Sequence, residues 1–178
     1  KSMSNLKVLN LVNNQITNIK AINSLSNLQS LYLSGENNSV NLVEIEDIIS
    51  NLDTLAVSTQ SIKSIINCDI NKITKLQLTS NYQLTEIPNL SKFKKLTVLS
   101  LINKSNIKDL GTISEIESLE ILNLSKTNLH GRMIDFSKLK NLTTVDLSNN
   151  NLWSEDLENL KALRNNTNLT INLSNNSI

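Results

Sequence analysis

One cysteine, one proline, three glycines and one histidine occur in 178 residues, and aromatics make up only 3%. Each shortage removes a class of chemistry. A lone Cys68 excludes an internal disulfide, leaving a cytosolic protein or a surface protein from an organism that does not rely on disulfides. One His and one Cys leave no cluster of soft donors for a metal. A Ser-His-Asp arrangement would depend entirely on His130, which sits beside Gly131 and reads as a surface loop residue without a role. No glycine-rich loop is available to cradle a phosphate. No apolar run approaches the roughly 18 residues of a membrane-spanning helix. Basic and acidic residues number 17 and 16, a net charge of +1 with both signs scattered, which argues against nucleic acid or an anionic membrane as partner. These absences point away from an enzyme and from any cofactor.

What the chain does have is leucine at fixed intervals. Leu-x-x-Leu-x-Leu appears at Leu6/Leu9/Leu11, Leu28/Leu31/Leu33, Leu52/Leu55/Val57 and Ile73/Leu76/Leu78. It returns at Leu96/Leu99/Leu101, Leu119/Leu122/Leu124 and Leu142/Val145/Leu147, then in a shifted copy at Ile171/Leu173. The second positions of these copies are spaced by 22, 24, 21, 23, 23, 23 and 26 residues. A period in this range marks a solenoid, in which each coil touches only its neighbours.

The first coil shows how one repeat works. Leu9-x-Leu11 alternates as a short half-buried strand. Asn14 stands where the chain leaves that strand, and its amide can satisfy turn groups that no sheet partner reaches. Ile16, Ile19, Ile22, Leu25 and Leu28 then recur every three residues, a period suited to a 3₁₀-like return path. Strands of successive coils are expected to pair in parallel on a concave sheet, with return segments on the convex side.

The string Leu-x-x-Leu-x-Leu-x-x-Asn-x-Ile-x-x-Ile-x-x-Leu-x-x-Leu resembles the leucine-rich repeat. Its 22-residue form is similar to that of the internalin group of bacterial surface proteins and of a eukaryotic phosphatase regulator. The resemblance covers residues 1–178 as one domain. It implies an α/β class, a right-handed solenoid of about eight coils with a parallel sheet inside and 3₁₀, irregular or short helical segments outside. The first coil begins a few residues after Lys1, and the eighth has a strand and turn without a return segment. Terminal repeats normally carry polar caps, so the chain is expected to be a segment of a longer protein.

Irregularities are local. Ser34–Ser39 is a turn-rich insertion expected at the rim of coil two. Coil seven has the longest return segment, expected as an α-helix capped by Ser154, with Glu155 and Asp156 in its first turn, Lys161 and Arg164 near its end, and Leu157, Leu160 and Leu163 facing the core. The Asn position holds Asn14, Asn81, Asn150 and Asn176, but Glu36, Gln60, Lys104 and Thr127 elsewhere, with Asn37 and Asn128 one residue on as substitutes. Cys68 follows Ile62 and Ile65 at an inward return position, as a small hydrophobe. Glu44, Glu46 and Asp47, and likewise Lys92, Lys94 and Lys95, read as solvated return faces. Heavy use of Asn, Ile, Lys and Ser reads as codon bias of an AT-rich genome, such as a low-GC bacterium or a protist. Sequons at Asn123-Leu124-Ser125 and Asn172-Leu173-Ser174 would put glycans on the inner face, which speaks against a eukaryotic glycosylating route.

Three outward columns can be written for the sheet. The central one is Asn10, Tyr32, Ala56, Gln77, Ser100, Asn123, Asp146 and Asn172, and Val8, Ser30, Thr54, Lys75, Val98, Ile121, Thr144 and Thr170 precede it. Val12, Ser34, Ser58, Thr79, Ile102, Ser125, Ser148 and Ser174 follow it. Val98, Ile102 and Ile121 would form an exposed apolar patch flanked by Ser100 and Asn123. Tyr32 is the one aromatic on this face, and the lack of Arg argues against a tight protein partner there. Trp153 lies at the rim, either packing on the following helix or anchoring a partner. Tyr32, Lys75, Val98, Ile102, Ile121, Asn123 and Asp146, with Trp153 at the rim, are therefore the candidate contacts. The expected function is a non-enzymatic binding module of a bacterial surface or secreted protein, holding a protein or glycan without membrane insertion. The alternatives are a cytoplasmic scaffold or regulatory subunit, a structural spacer, or an effector whose enzyme domain lies elsewhere.

Overall fold

A computed structural model of the chain describes residues 3–34, 42–58, 61, 69–79, 87, 89–102 and 109–178, with the backbone alone for 43, 79 and 102. Eight strands follow the eight leucine motifs: β1 (Val8–Asn10), β2 (Ser30–Tyr32), β3 (Thr54–Ser58), β4 (Lys75–Thr79), β5 (Val98–Ile102), β6 (Ile121–Asn123), β7 (Thr144–Asp146) and β8 (Thr170–Asn172). They form one parallel sheet in sequence order, each pairing with the next. The register is the one the repeat predicts. Leu9, Leu31, Leu55, Leu76, Leu99, Leu122, Val145 and Ile171 are successive partners along one column.

That column is the spine of the core. Leu31, Leu55, Leu99, Leu122 and Val145 have no exposed surface, and Leu33, Leu78, Leu101, Leu124 and Leu147 are buried beside them. The return path follows the period of three seen in the sequence. Ile22 N–H donates to Ile19 O at 3.0 Å, Leu25 to Ile22 at 2.9 Å and Leu28 to Leu25 at 3.0 Å, each bond turning one more apolar side chain inward. Coil five repeats the device through Leu110, Ile113, Ile116 and Leu119. Short 3₁₀ turns cover Lys20–Ser24, Leu42–Ile45 and Gly111–Glu115, and a short α-helix, α1, covers Glu46–Ile49. Phe93 and Phe136 fill the interior of the coils that contain them.

The asparagine position behaves as a polar spine beside the apolar one. Asn150 is fully buried, and its amide donates to Leu124 O at 2.7 Å, Leu147 O at 3.0 Å and Ser148 O at 3.2 Å. Its Oδ1 accepts from Thr127 N–H at 2.8 Å, so one side chain stitches coil six to coil seven. Asn176 does the same between coils seven and eight, accepting from Asn150 and Leu152 N–H and donating to Leu147 O and Leu173 O. Asn14 donates to Leu11 O and Val12 O within its own coil.

Several expectations need correction. Thr127 holds the ladder position of coil six, donating to Leu124 O at 2.6 Å, so Asn128 does not shift into it. The return segment of coil seven, Ser154–Leu163, is a 3₁₀ helix rather than an α-helix. Spacing Leu157, Leu160 and Leu163 by three suits a three-residue turn. Of these leucines only Leu163 is buried; Leu157 and Leu160 are half-buried. Ser154 gives no cap, because the Asp156 carboxylate instead accepts from Trp153 N–H at 2.8 Å. The third column turns inward where it passes Ser34, Ser58 and Ser148, all of them buried. Ser58 Oγ accepts from Ser61 N–H at 3.2 Å, a turn role in place of a surface one. Glu36, Asn37, Gln60, Cys68, Asn81 and Lys104 lie outside the described residues, as does the insertion after Ser34.

Two substitutions test this division of labour. Leu122→Ala opens a cavity in the spine and should cost about 2–5 kcal/mol in urea unfolding. Asn150→Ala orphans Thr127 N–H, a buried group costing about 1–3 kcal/mol, while Leu124 O and Leu147 O keep the donors Thr127 Oγ1–H and the Asn176 amide. A loss for Asn150→Ala below that of one such group would show that water or relaxation replaces the ladder.

Candidate functional site

The outward side chains of the sheet come from the first two columns, in the register expected from the sequence. Tyr32, Gln77, Ser100, Asn123 and Asp146 are half-buried, while Ala56 between Tyr32 and Gln77 is closed off from solvent. A methyl group between two long side chains leaves a depression. It is a shallow hollow of about 200 Å³, walled by Tyr32, Lys75, Gln77, Val98 and Ser100, with Ala56 in its floor. Three of the sequence-predicted contacts, Tyr32, Lys75 and Val98, thus share one feature. Ala56 and Gln77 were missed as contacts because neither residue type signals binding; the signal available was a small residue in a column of larger ones.

Val98 and Ile121 are direct partners across β5 and β6, and Ile121 is 39% exposed. The side chain of Ile102 lies outside the described residues. Its backbone pairs with Thr79, in the column whose Ser34, Ser58 and Ser148 are buried. Asn123 and Asp146 have local tasks. Asn123 Oδ1 accepts from Ser125 N–H at 2.9 Å and Asp146 Oδ1 from Ser148 N–H at 2.9 Å. Asn10 and Asn172 repeat this bond to the residue two on. Such turns end each strand, so these side chains present one remaining polar atom outward.

At the rim, Trp153 is 52% exposed and its ring lies 4.4 Å from that of His130, tilted by 33°. Beneath them Asp156 is buried. Its Oδ2 accepts from His130 Nδ1–H at 2.9 Å and from Trp153 N–H, and its Oδ1 accepts from Gly131 N–H at 2.8 Å. A carboxylate only accepts, so Nδ1 must carry the proton and Nε2 is left as the polar atom free of Asp156. His130 therefore has a structural role, contrary to expectation. With Gly131, which needs its φ of +66°, it ties coil six to coil seven. Trp153 stacks on His130 outside the coil rather than being buried against the following helix. Sequence spacing gave no hint of a contact between residues 26 apart on different coils.

Burial pushes the Asp156 carboxyl up, but the bonds from Trp153 N–H, His130 and Gly131 N–H outweigh it and hold the group below the ordinary carboxylate range. A depressed native value makes this stability fully present above the ordinary range and lost as pH falls through the native value. Asp156→Asn should lower stability by about 1–3 kcal/mol at neutral pH. That deficit should shrink as both proteins are melted at successively lower pH. A deficit constant from pH 7 to strongly acidic solution would refute a charged clamp.

Residues 4–50 match a family model described as leucine-rich repeats in two copies. No curated protein sequence matches the chain. Among solved structures, a leucine-rich-repeat protein of Leptospira interrogans is similar at 19% identity and a TM-score of 0.52, covering 95% of this chain and 55% of that one. An internalin of Listeria monocytogenes aligns at 21% identity and a TM-score of 0.44, covering 99% and 63%. The functional domain of a second Listeria internalin, with a cysteine ladder, aligns at 18% identity and 0.41, covering 97% and 54%. The chain thus spans between about half and two thirds of these proteins. Among the described residues no helix is long and apolar enough to cross a membrane. Repeat register, parallel sheet, matched repeats and structural likeness agree, and the chain is a leucine-rich-repeat solenoid.

Proposed function

We propose that this solenoid is a non-enzymatic binding module of a bacterial surface or secreted protein, holding a macromolecular partner against its sheet face and rim. Leucine-rich repeats generally serve as protein-interaction modules, and the observation that carries the reading here is the hollow ringed by Tyr32, Lys75 and Val98. It is continuous, through half-buried Val98 on β5, with exposed Ile121 on β6. A rigid wall with a depression and an apolar shelf loses little conformational entropy on binding, which favours recognition by shape. Asn123 and Asp146 extend the face with one free polar atom each, and Trp153 stands at the rim as a pre-positioned aromatic anchor. Ile102 belongs to this set by its strand position. A bacterial surface or secreted setting is supported by the single cysteine, the Asn- and Lys-rich composition and the sequons that fall on the sheet.

The test is photo-crosslinking on living cells of the source organism. A crosslinking amino acid at position 32 or 121 should capture a macromolecule, while one at Lys95, exposed on the return side, should not. Tyr32→Ala and Ile121→Asp should each weaken binding of the captured partner by about tenfold or more. Capture from Lys95 alone, or full binding by both variants, would favour a spacer over a binding wall.

A further inference from the structure

We infer that the hollow over Ala56 is a socket for one apolar side chain of a partner protein, seated beside a carboxylate of the same segment that Lys75 holds at the lip. This rests on the binding-module reading and names the chemistry of its partner.

Size decides first. Pockets for small molecules typically hold about 300–1,000 Å³. At about 200 Å³ the hollow is too small for such a ligand, and it is open to the face of the sheet. Its shape follows from the register, since Tyr32, Ala56 and Gln77 are consecutive partners on β2, β3 and β4. The Ala56 methyl and the neighbouring strand make an apolar floor. The Tyr32 ring supplies an apolar wall with a polar tip, and Val98 a second apolar wall. A leucine-sized group entering there is shielded from water on the floor and at two walls.

Charge decides what accompanies it. Among the described outward side chains of the sheet, Lys75 is the only cation and Asp146 the only anion. Lys75 is exposed and its ammonium makes no ion pair among the described residues. Asp146 lies three strands from β4, about 14 Å by ordinary strand spacing. That exceeds the screening length of about 8 Å at physiological salt, so Asp146 does not neutralise Lys75. Asp53 is nearer, but its carboxylate accepts from the hydroxyl of Thr54 at 2.7 Å and forms no ion pair with Lys75, so the ammonium is the charge that the lip presents above an apolar floor. A segment with adjacent apolar and acidic side chains satisfies both; a basic segment meets repulsion, and a neutral sugar leaves the cation unanswered.

The probes are acetyl-Gly-Leu-Asp-Gly-amide, the same peptide with Leu-Lys or Ser-Asp at its centre, and methyl β-glucuronide. Each is titrated into the ¹⁵N-labelled full chain, and amide shifts at Ala56 and Gln77 are followed. The Leu-Asp peptide should bind in the millimolar range, about three- to fivefold tighter than Leu-Lys and about tenfold or more tighter than Ser-Asp. Ala56→Leu should abolish the shifts by filling the socket. Lys75→Glu, a change at an exposed side chain that leaves the core intact, should reverse the preference between Leu-Asp and Leu-Lys. Thermal melts confirm that each variant is folded, and Lys75→Glu decides the matter if Ala56→Leu is not. Equal binding of all three peptides, or no shift at Ala56 and Gln77, overturns the socket. Tighter binding of the glucuronide there assigns the hollow to an acidic sugar and overturns it as well. Shifts confined to Ile121 and Asn123, outside the hollow, overturn the socket while leaving the binding wall in place; no shift anywhere on the sheet counts against both.

Discussion

No coil of this chain can bury its own leucines. Each strand offers one inward column of two or three apolar side chains, and only a coil on either side can cover them. Hence the in-register contact between neighbouring coils is the interaction on which everything else depends. The gradient of burial along the stack shows it directly. Leu31, Leu55 and Leu122, with strands on both sides, have no exposed surface, whereas Leu9 in β1 and Ile171 in β8 remain half-buried.

That constraint separates two sets of residues with different jobs. Inward leucines and the buried amides of Asn150 and Asn176 hold coil to coil. Outward residues such as Tyr32, Lys75 and Ile121 stand on the same strands, yet their side chains contribute little to that adhesion. A period of two along the strand keeps the sets apart. The face of the sheet can therefore change its chemistry while the spine stays fixed, and the hollow at Ala56 is one such local change.

Much of the fold was legible because the repeat states it eight times. The strand register, the inward leucines and the three-residue return period can be read from spacing alone. The asparagine ladder was legible where Asn itself stands, and misread at coil six, where a threonine hydroxyl replaces an amide. Asn13, Asn149 and Asn175 adopt left-handed φ of 57°, 58° and 56°, each immediately before a ladder asparagine, Asn151 does so after Asn150, and Asn128 after the ladder threonine Thr127. Asparagine tolerates that region, so these five of the chain's thirty asparagines have a backbone reason for their identity. The candidate site was half legible. Tyr32, Lys75 and Val98 fall on one hollow, but a hollow is made by what is missing, and spacing cannot flag Ala56. The clamp of His130 and Trp153 on Asp156 was invisible, since it joins side chains from different coils across a turn whose path only the folded chain reveals.

The neighbour-only topology also sets how this wall would bear a pull. Tension applied along the stack passes through every seam in series, so the weakest seam sets the limit for the whole. The seams after coils six and seven carry cross-coil amide bonds from Asn150 and Asn176, and the former also carries the Asp156 clamp. Among the described ladder residues these shared bonds lie at the last two seams, so a pull passing through them meets buried amide bonds as well as packed leucines.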